Sequence, residues 1–233
     1  MTVNIFEKIK IVFEDEDMLV IDKPAGLVVH SDERTEELSL SDWLEVKYPD
    51  LKDIGRPHTL DNERYAPRYG MLHRIDRDTS GVLIIAKNIE TFDYIHAQFL
   101  ENKIEKEYIA LVEGVVKEDG VINIPIGRSK VDPRKWTSGA DIRNTKREAV
   151  TEYKVIEIKN NKTLLQVFPK TGRTHQIRVH LLFLGYPIIG DKRYNEKSVA
   201  TRMFLHAKSI SFLNKNGEMV KYETEIPKEF LDF

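Results

Sequence analysis

The chain has 233 residues, a formal net charge of −2 and no cysteine. A chain of this length can bury a substantial core without covalent cross-links, and the lack of thiols excludes disulfides, cysteine nucleophiles and cysteine-ligated zinc. Residues 1–17 carry charges throughout and no apolar run approaches the roughly 20 residues that cross a bilayer, so the sequence predicts a soluble, cytoplasmic protein without a membrane partner.

The predicted elements are mostly strands. In chain order, short apolar or alternating runs predict strands at 10–13, 18–21, 81–87, 104–112 and 121–126, a hairpin over 149–168 that turns at Asn160-Asn161, and a last hairpin over 207–213 and 219–225. Helices are predicted from Ser39 to before Pro49, over 89–100, and over 174–184 with Thr174 as N-cap and Gly185 as the stop, and residues 55–71 are predicted to form a loop.

No repeat or linker divides the chain, so a single domain over residues 1–233 is expected. Because successive strands can pair with their neighbours, the pattern predicts an α+β fold with a mainly antiparallel mixed sheet flanked by helices and loops.

Charge is distributed unevenly. Residues 31–64 hold ten acidic against five basic side chains, whereas residues 128–147 hold seven basic against two acidic ones. Residues 170–180 add three cations and no acid. A cation-rich stripe suits a polyanion bound in one groove, although a solvated surface run would look the same if these stretches stood alone.

The densest polar cluster is His73-Arg74-Ile75-Asp76-Arg77-Asp78-Thr79-Ser80-Gly81, directly before an apolar strand. Desolvating so many charges is costly unless they are paired, and a salt-bridged turn is the ordinary interpretation, above all for Asp78. Asp76 differs because it lies between two arginines, which favour the ionised carboxylate and keep it available as a nucleophile.

A second cluster, Lys170-Thr171-Gly172-Arg173-Thr174-His175-Gln176-Ile177-Arg178-Val179-His180, opens a predicted helix. Main-chain N–H groups at a helix start beside Arg173 can hold an anion, and Arg178 follows Thr174 by one turn. His175 and His180 are five residues apart, one more than the spacing that puts two ligands on one helix face, so no metal site is expected.

A third cluster, Glu105-Lys106-Glu107-Tyr108, begins a strand, where a tyrosine ordinarily packs half-buried. Together with these clusters, Asp22-Lys23-Pro24-Ala25-Gly26 and Phe204-Leu205-His206-Ala207 complete a set of five motifs. In order and type, the set resembles the RluA-type pseudouridine synthases over residues 22–207.

The resemblance implies an RNA-modifying isomerase without a cofactor. It places Asp76 at the essential aspartate, Tyr108 at the active-site tyrosine and Arg178 at the arginine beside the aspartate. Leu205 would line the uracil pocket. A uridine must leave its stack to reach Asp76, and Arg74 is the candidate to brace the vacated space, while Arg173, Thr174 and His175 would contact the RNA.

The substrate expected from this resemblance is transfer RNA or ribosomal RNA, and a monomer without an N-terminal S4 domain is expected. Two other classes remain open from the residues alone: a glycoside hydrolase acting on a small nucleoside, and a non-catalytic RNA-binding module. A hydrolase usually needs two carboxylates at a set separation, and Asp76 and Asp78 in an extended segment would share a face only by the geometry of the turn.

Overall fold

The computed structural model describes residues 4–30, 37–55, 58–59 and 65–233. Its strands are β1 (Lys10–Glu14), β2 (Met18–Lys23), β3 (His58–Thr59), β4 (Tyr65–Ala66), β5 (Ser80–Ala86), β6 (Glu105–Glu113), β7 (Gly120–Asn123), β8 (Ile126–Arg128), β9 (Trp136–Ser138), β10 (Val150–Lys159), β11 (Lys162–Pro169), β12 (Leu205–Leu213) and β13 (Met219–Glu223). Its α-helices are α1 (Leu40–Lys47), α2 (Ile89–Leu100) and α3 (Gln176–Phe183). Within the described ranges, none of the helices has the length and hydropathy needed to cross a bilayer.

The chain divides into two compact units that are both discontinuous in sequence. The first comprises Met1–Ile104 and Ser209–Thr224, as far as these are described, and the second comprises Glu105–Lys208 and Glu225–Phe233. Strand β12 therefore contributes residues to both units. The expectation of one catalytic domain over residues 1–233 stays a prediction.

The first unit is built on the strand order β1-β2-β5-β12, with β13 paired to β12. Strands β2 and β5 are antiparallel, and Met18 lies opposite Ala86 while Lys23 lies opposite Gly81. Every residue of β5 is buried, which explains why this strand is a continuous apolar run instead of an alternating one.

Helix α1 begins where its sequence predicts. Ser39 accepts the N–H of Asp42 on its side chain, and the Asp42 carboxylate accepts the N–H of Ser39 in return, a reciprocal cap worth about 1 kcal/mol. Leu40, Trp43 and Leu44 form the buried face. Both the predicted start at Ser39 and the predicted end before Pro49 are confirmed.

The second unit contains the strand order β6-β11-β10-β7, with each of these neighbours antiparallel. Strands β10 and β11 form the predicted hairpin, and Asn160 and Asn161 take left-handed conformations with φ of 51° and 56°. The apolar core of this unit includes Ala110, Leu165 and Leu181. With three helices beside largely antiparallel pairings in the described residues, the predicted α+β fold is confirmed.

Two predicted elements are wrong in detail. The single strand at 121–126 is two strands, β7 and β8, separated at Ile124 and Pro125, because proline has no N–H to continue a ladder. Strand β9 was not expected from the sequence. In the predicted loop 55–71, the two-residue strands β3 and β4 pair, and residues 56–57 and 60–64 lie outside the described residues.

Helix α3 starts two residues later than predicted. Thr174 is exposed and is not its N-cap; His175 occupies that position with a left-handed φ of 55° and no capping side-chain bond. The predicted stop is confirmed, since Gly185 has a φ of 86° directly after the helix.

Acid should weaken the fold through His206. Burial, with Arg202 and Lys208 nearby, lowers the pKa of His206 to about 4 from an ordinary 6.5. Because the unfolded chain then binds the proton more readily, this histidine's contribution to stability is complete above pH 6.5 and is lost as the pH falls toward 4. Between pH 7.5 and pH 5 we expect the free energy of unfolding to fall by about 2 kcal/mol less in His206→Gln than in the wild-type chain, measured by denaturant unfolding. An equally steep loss in the variant would contradict this assignment.

Candidate active site

Asp76 lies on a short segment that is anchored on both sides. Ile75 and Thr79 are buried, and the Thr79 N–H donates to the Asp76 carbonyl at 3.1 Å, which closes a turn. His73 Nε2 accepts the main-chain N–H of Ile84 in β5 at 3.1 Å. The half-buried residue Asp76 is thus carried by a segment whose main chain is anchored.

Lys23 connects this segment to the turn that follows β2. It is completely buried, and its Nζ donates to the carbonyls of Pro24 at 2.9 Å, Leu27 at 2.8 Å and Arg77 at 3.0 Å. The N–H of Gly26 also donates to the Arg77 carbonyl, at 2.9 Å. The motif Asp22-Lys23-Pro24-Ala25-Gly26 therefore supports the residue that follows Asp76.

The other charged residues of this segment point into solvent. Arg74, Arg77 and Asp78 are exposed. Arg77 Nη2 pairs with Glu37 at 3.1 Å, and its Nε lies 3.9 Å from the Asp78 carboxylate. Exposed pairs of this kind contribute at most about 1 kcal/mol, so they do not account for the position of Asp76.

Tyr108 and Leu205 are placed on one apolar cluster of the second unit. Leu205 belongs to this cluster together with Val167 and Ile177, and the half-buried Tyr108 packs against it. Tyr108 lies opposite Val167 in the β6–β11 pairing. Tyr108 thus lies at the edge of a buried cluster of branched aliphatic side chains, and an aromatic ring beside such side chains is the lining that small-molecule sites prefer.

The Lys106-Glu107-Tyr108 motif and the motif that opens α3 meet in space. A Cβ atom built on Gly172 would lie 3.9 Å from Lys106 Nζ. Burial disfavours the charged ammonium of Lys106 and so lowers its pKa. An anionic partner would offset this cost.

Gln176 fixes the loop before α3. Its Oε1 accepts from Thr171 Oγ1 at 2.7 Å and from the Arg173 N–H at 3.0 Å. Its Nε2 donates to the Val150 carbonyl at 2.9 Å and to Thr151 Oγ1 at 3.0 Å. All four hydrogen-bonding positions of this buried amide are used, so Gln176 ties the loop before α3 to the start of β10.

The three residues predicted to contact RNA occupy different environments. Arg173 and Thr174 are exposed, and Arg173 Nε donates to the Glu148 carbonyl at 3.0 Å. His175 is half-buried, with its Nδ1 2.8 Å from the Tyr194 hydroxyl. A role of these residues in binding stays a prediction.

Arg178 is buried and makes a two-point contact with a carboxylate that was not foreseen. Its Nε and Nη2 donate to Asp191 Oδ2 and Oδ1, both at 2.7 Å, and its guanidinium carbon lies 4.9 Å from the centre of the Tyr194 ring. The predicted contact of Arg178 with Asp76 stays a prediction, since these residues belong to different units.

Sequence reasoning missed Gln176 and Asp191 as site residues. The signal for Asp191 was Arg178 itself: it lies between Ile177 and Val179 on a buried helix, and a buried guanidinium needs a carboxylate partner. The sequence indicated the need for a partner but not which of many acids would meet it.

The predicted basic stretch forms a surface around an indole ring. The guanidinium carbons of Arg128 and Arg147 lie 4.5 and 5.7 Å from the centre of the Trp136 ring. A cavity of about 430 Å³ beside it is lined by both aromatic and cationic side chains, among them Trp136, Tyr194, Lys135 and Arg193. Aromatic faces beside cations are the features that bind bases and phosphates of single-stranded nucleic acid.

Known proteins match the chain over nearly its whole length. The family model described as RNA pseudouridylate synthase matches residues 17–183. The chain is 35% identical over 240 residues to the ribosomal large subunit pseudouridine synthase D of Pseudomonas aeruginosa, covering 96% of this chain and 70% of that protein. It is 38% identical over 236 residues to an uncharacterized RNA pseudouridine synthase of Aquifex aeolicus, covering 95% of this chain and 71% of that protein.

Solved structures give the same result. Human RNA pseudouridylate synthase domain containing 1 is similar with a TM-score of 0.78 and 26% identity, over 97% of this chain and 86% of that chain. Human RNA pseudouridylate synthase domain containing 4 is similar with a TM-score of 0.71 and 25% identity, over 95% and 90% of the two chains.

Gln176 offers a test of local order. Gln176→Leu removes four hydrogen bonds of a buried amide, including the acceptor of the Arg173 N–H, so we expect a loss of about 3 kcal/mol in the free energy of unfolding. We also expect faster amide exchange at Arg173, whose N–H loses its acceptor, measured by hydrogen exchange. Gln98→Leu is the matched control: this buried glutamine bonds the main chain of Leu213, so it should cost stability without changing exchange at Arg173. Equal exchange in both variants would contradict the role of Gln176.

Proposed function

Because the chain belongs to the RluA-type RNA pseudouridine synthases, which are isomerases, we propose that it converts uridines of ribosomal RNA to pseudouridine with Asp76 as the catalytic carboxylate. Support for ribosomal RNA comes from relatives such as the Pseudomonas aeruginosa and Nitrosomonas europaea proteins, both named ribosomal large subunit pseudouridine synthase D. The observation that carries the role of Asp76 is the anchored segment of residues 73–79, which Lys23 supports and which holds one half-buried carboxylate.

The reaction breaks the bond between uracil N1 and ribose C1′ and forms a bond between C5 and C1′. The C5 hydrogen leaves as a proton and N1 gains one, so the overall change is an isomerisation without redox chemistry. A carboxylate can assist at C1′ as in glycoside cleavage, either by adding there or by removing a 2′ proton to give a glycal. Asp76 suits both routes, because it is carried by an anchored segment and the residue as a whole is only half-buried.

The remaining predicted residues take roles around the detached base. Tyr108 stacks on uracil and assists the loss of the C5 proton, and Leu205 closes the apolar side of the pocket. Arg178 holds the Asp76 carboxylate through a charge-assisted contact. Support for the pocket comes from the common apolar cluster on which Tyr108 and Leu205 lie.

RNA binds along the cationic surface of the second unit. Arg143 and Lys146 are exposed beside the Trp136 surface, and Arg173, Thr174 and His175 continue it at the start of α3. Arg74, exposed next to Asp76, fills the space that the flipped uridine vacates.

Asp76→Asn should abolish pseudouridine formation without preventing folding or RNA binding, because it removes the negative charge while keeping the side chain's size. Loss of an essential catalytic group lowers turnover by at least about 10³-fold. Asp78→Asn is the control, since Asp78 is exposed and its nearest charged partner is 3.9 Å away. Both variants and the wild-type chain would be returned to cells lacking the gene, and pseudouridine would be mapped in ribosomal and transfer RNA.

We expect the wild-type and Asp78→Asn chains to restore the same ribosomal RNA positions and Asp76→Asn to restore none. Restoration by Asp76→Asn would contradict the catalytic assignment. Restoration confined to transfer RNA would contradict the proposed substrate but not the chemistry.

Salt dependence tests the binding surface. Each phosphate neutralised by Lys or Arg makes log affinity fall with log salt by a slope of about −0.7 for single strands. Arg143→Ala or Lys146→Ala should weaken binding of the RNA and flatten this slope by roughly one such contact. Lys47→Ala and Lys52→Ala, within the acidic stretch, serve as controls that should change neither. If Lys47→Ala or Lys52→Ala weakened binding and flattened the slope instead, the RNA would lie along the acidic stretch, which would contradict the proposed binding surface.

A further inference from the structure

Arg178 and Asp191 form a deeply buried ion pair. The side chain of Arg178 is 7% exposed and that of Asp191 is 1% exposed. The two donor–acceptor distances of 2.7 Å fall at the short end of the range for charge-assisted hydrogen bonds, and the paired geometry fixes the plane of the guanidinium as well as its position.

The backbone holds the Asp191 carboxylate in place. Asp191 Oδ1 also accepts the N–H groups of Arg193 at 3.1 Å and Tyr194 at 3.2 Å. Gly190, directly before it, has a φ of 76°, and a Cβ atom there would overlap the Arg202 carbonyl. The carboxylate therefore belongs to a turn of fixed shape, so the orientation of Asp191 does not depend on Arg178.

The face of the guanidinium is fixed as well. The ring of Tyr194 lies 4.9 Å from the Arg178 guanidinium carbon. The Tyr194 hydroxyl lies 2.8 Å from His175 Nδ1 and accepts the main-chain N–H of Trp136 at 3.1 Å. These contacts hold the ring at its hydroxyl end. One edge and one face of the guanidinium are thus set by the turn at residues 190–194.

Stability alone is a weak explanation for this arrangement. A buried ion pair often contributes little to folding, because desolvating both charges cancels much of their attraction, and apolar residues of similar volume serve as well. What apolar residues cannot do is to hold a guanidinium in one orientation.

We propose that Asp191 is a positioning residue: it fixes the Arg178 guanidinium in the orientation needed to act on the catalytic carboxylate. The proposal rests on the proposed function, in which Arg178 acts beside Asp76. Because the Asp191 side chain is only 1% exposed, we expect its removal to slow the reaction without weakening RNA binding. Misplacing a reacting group by about 1 Å can lower a rate by about 100-fold.

Asp191→Glu is the sharpest variant, because it keeps the negative charge but moves the carboxylate by one methylene. The probe is large-subunit ribosomal RNA transcribed with tritium at uridine C5, which loses its label to water when C5 bonds to C1′. We expect kcat to fall at least tenfold while KM stays within twofold and the melting temperature stays close to that of the wild type. Glu229→Gln, which removes the negative charge from the group that accepts from Arg202 Nη1 at 2.8 Å elsewhere in the same unit, is the control and should leave kcat within twofold.

Asp191→Asn, of equal size, supplies a second test: it should lower kcat as well, with a lower melting temperature because the charge of the buried Arg178 loses its partner. A double-mutant cycle then separates positioning from general damage. In an Arg178→Lys background, Asp191→Glu should change kcat by less than twofold, because the guanidinium it positions is already gone. A full tenfold loss in that background would overturn the proposal.

Other outcomes also decide the matter. Wild-type kcat in Asp191→Glu, or a rise in KM without a fall in kcat, contradicts positioning while leaving the proposed function intact. Failure of both Asp191 variants to fold would assign the pair to the fold itself and overturn the proposal. A wild-type protein that releases no tritium contradicts the proposed function, and the positioning role fails with it.

Discussion

Lys23 is enclosed by protein, and three main-chain carbonyls accept its ammonium protons. An ammonium group buried without such acceptors would cost several kcal/mol, so the turn after β2 and the segment after Asp76 must form together. The strand pairing places Lys23 opposite Gly81, near the start of β5, which directly follows that segment. One cation thereby couples two motifs that lie about fifty residues apart in the chain.

The second unit also depends on buried polar groups that must be paired. Gln176, Arg178 and His180 follow one another at every second position of α3, and each is buried with polar partners. Polar groups that are completely satisfied in a low-dielectric interior tolerate few alternative arrangements, because any shift leaves one of them unpaired. The helix is therefore held by a specific set of contacts in addition to its apolar packing.

Local rules predicted much of the fold. The Ser39 cap, the Asn160-Asn161 turn and the stop at Gly185 each depend on residues adjacent in sequence, and all three are confirmed. The predicted start of α3 is wrong because His175, in a left-handed conformation, takes the N-cap position, and the Gln176 side chain bonds back to the loop, a contact that no capping rule includes. Asp191 was missed for a similar reason: its partner is thirteen residues away, and only the folded backbone brings the two together.

The discontinuity of the first unit has a consequence for its synthesis. Its sheet includes β12 and β13, which are translated after more than a hundred residues of the second unit. All residues of β5 are buried in the finished protein, but one of its neighbours in the sheet, β12, is translated late, so β5 lacks that strand partner while the ribosome completes the chain. This unit therefore cannot complete its sheet until β12 and β13 have been translated, and its last step is a long-range strand pairing, the slowest kind to form.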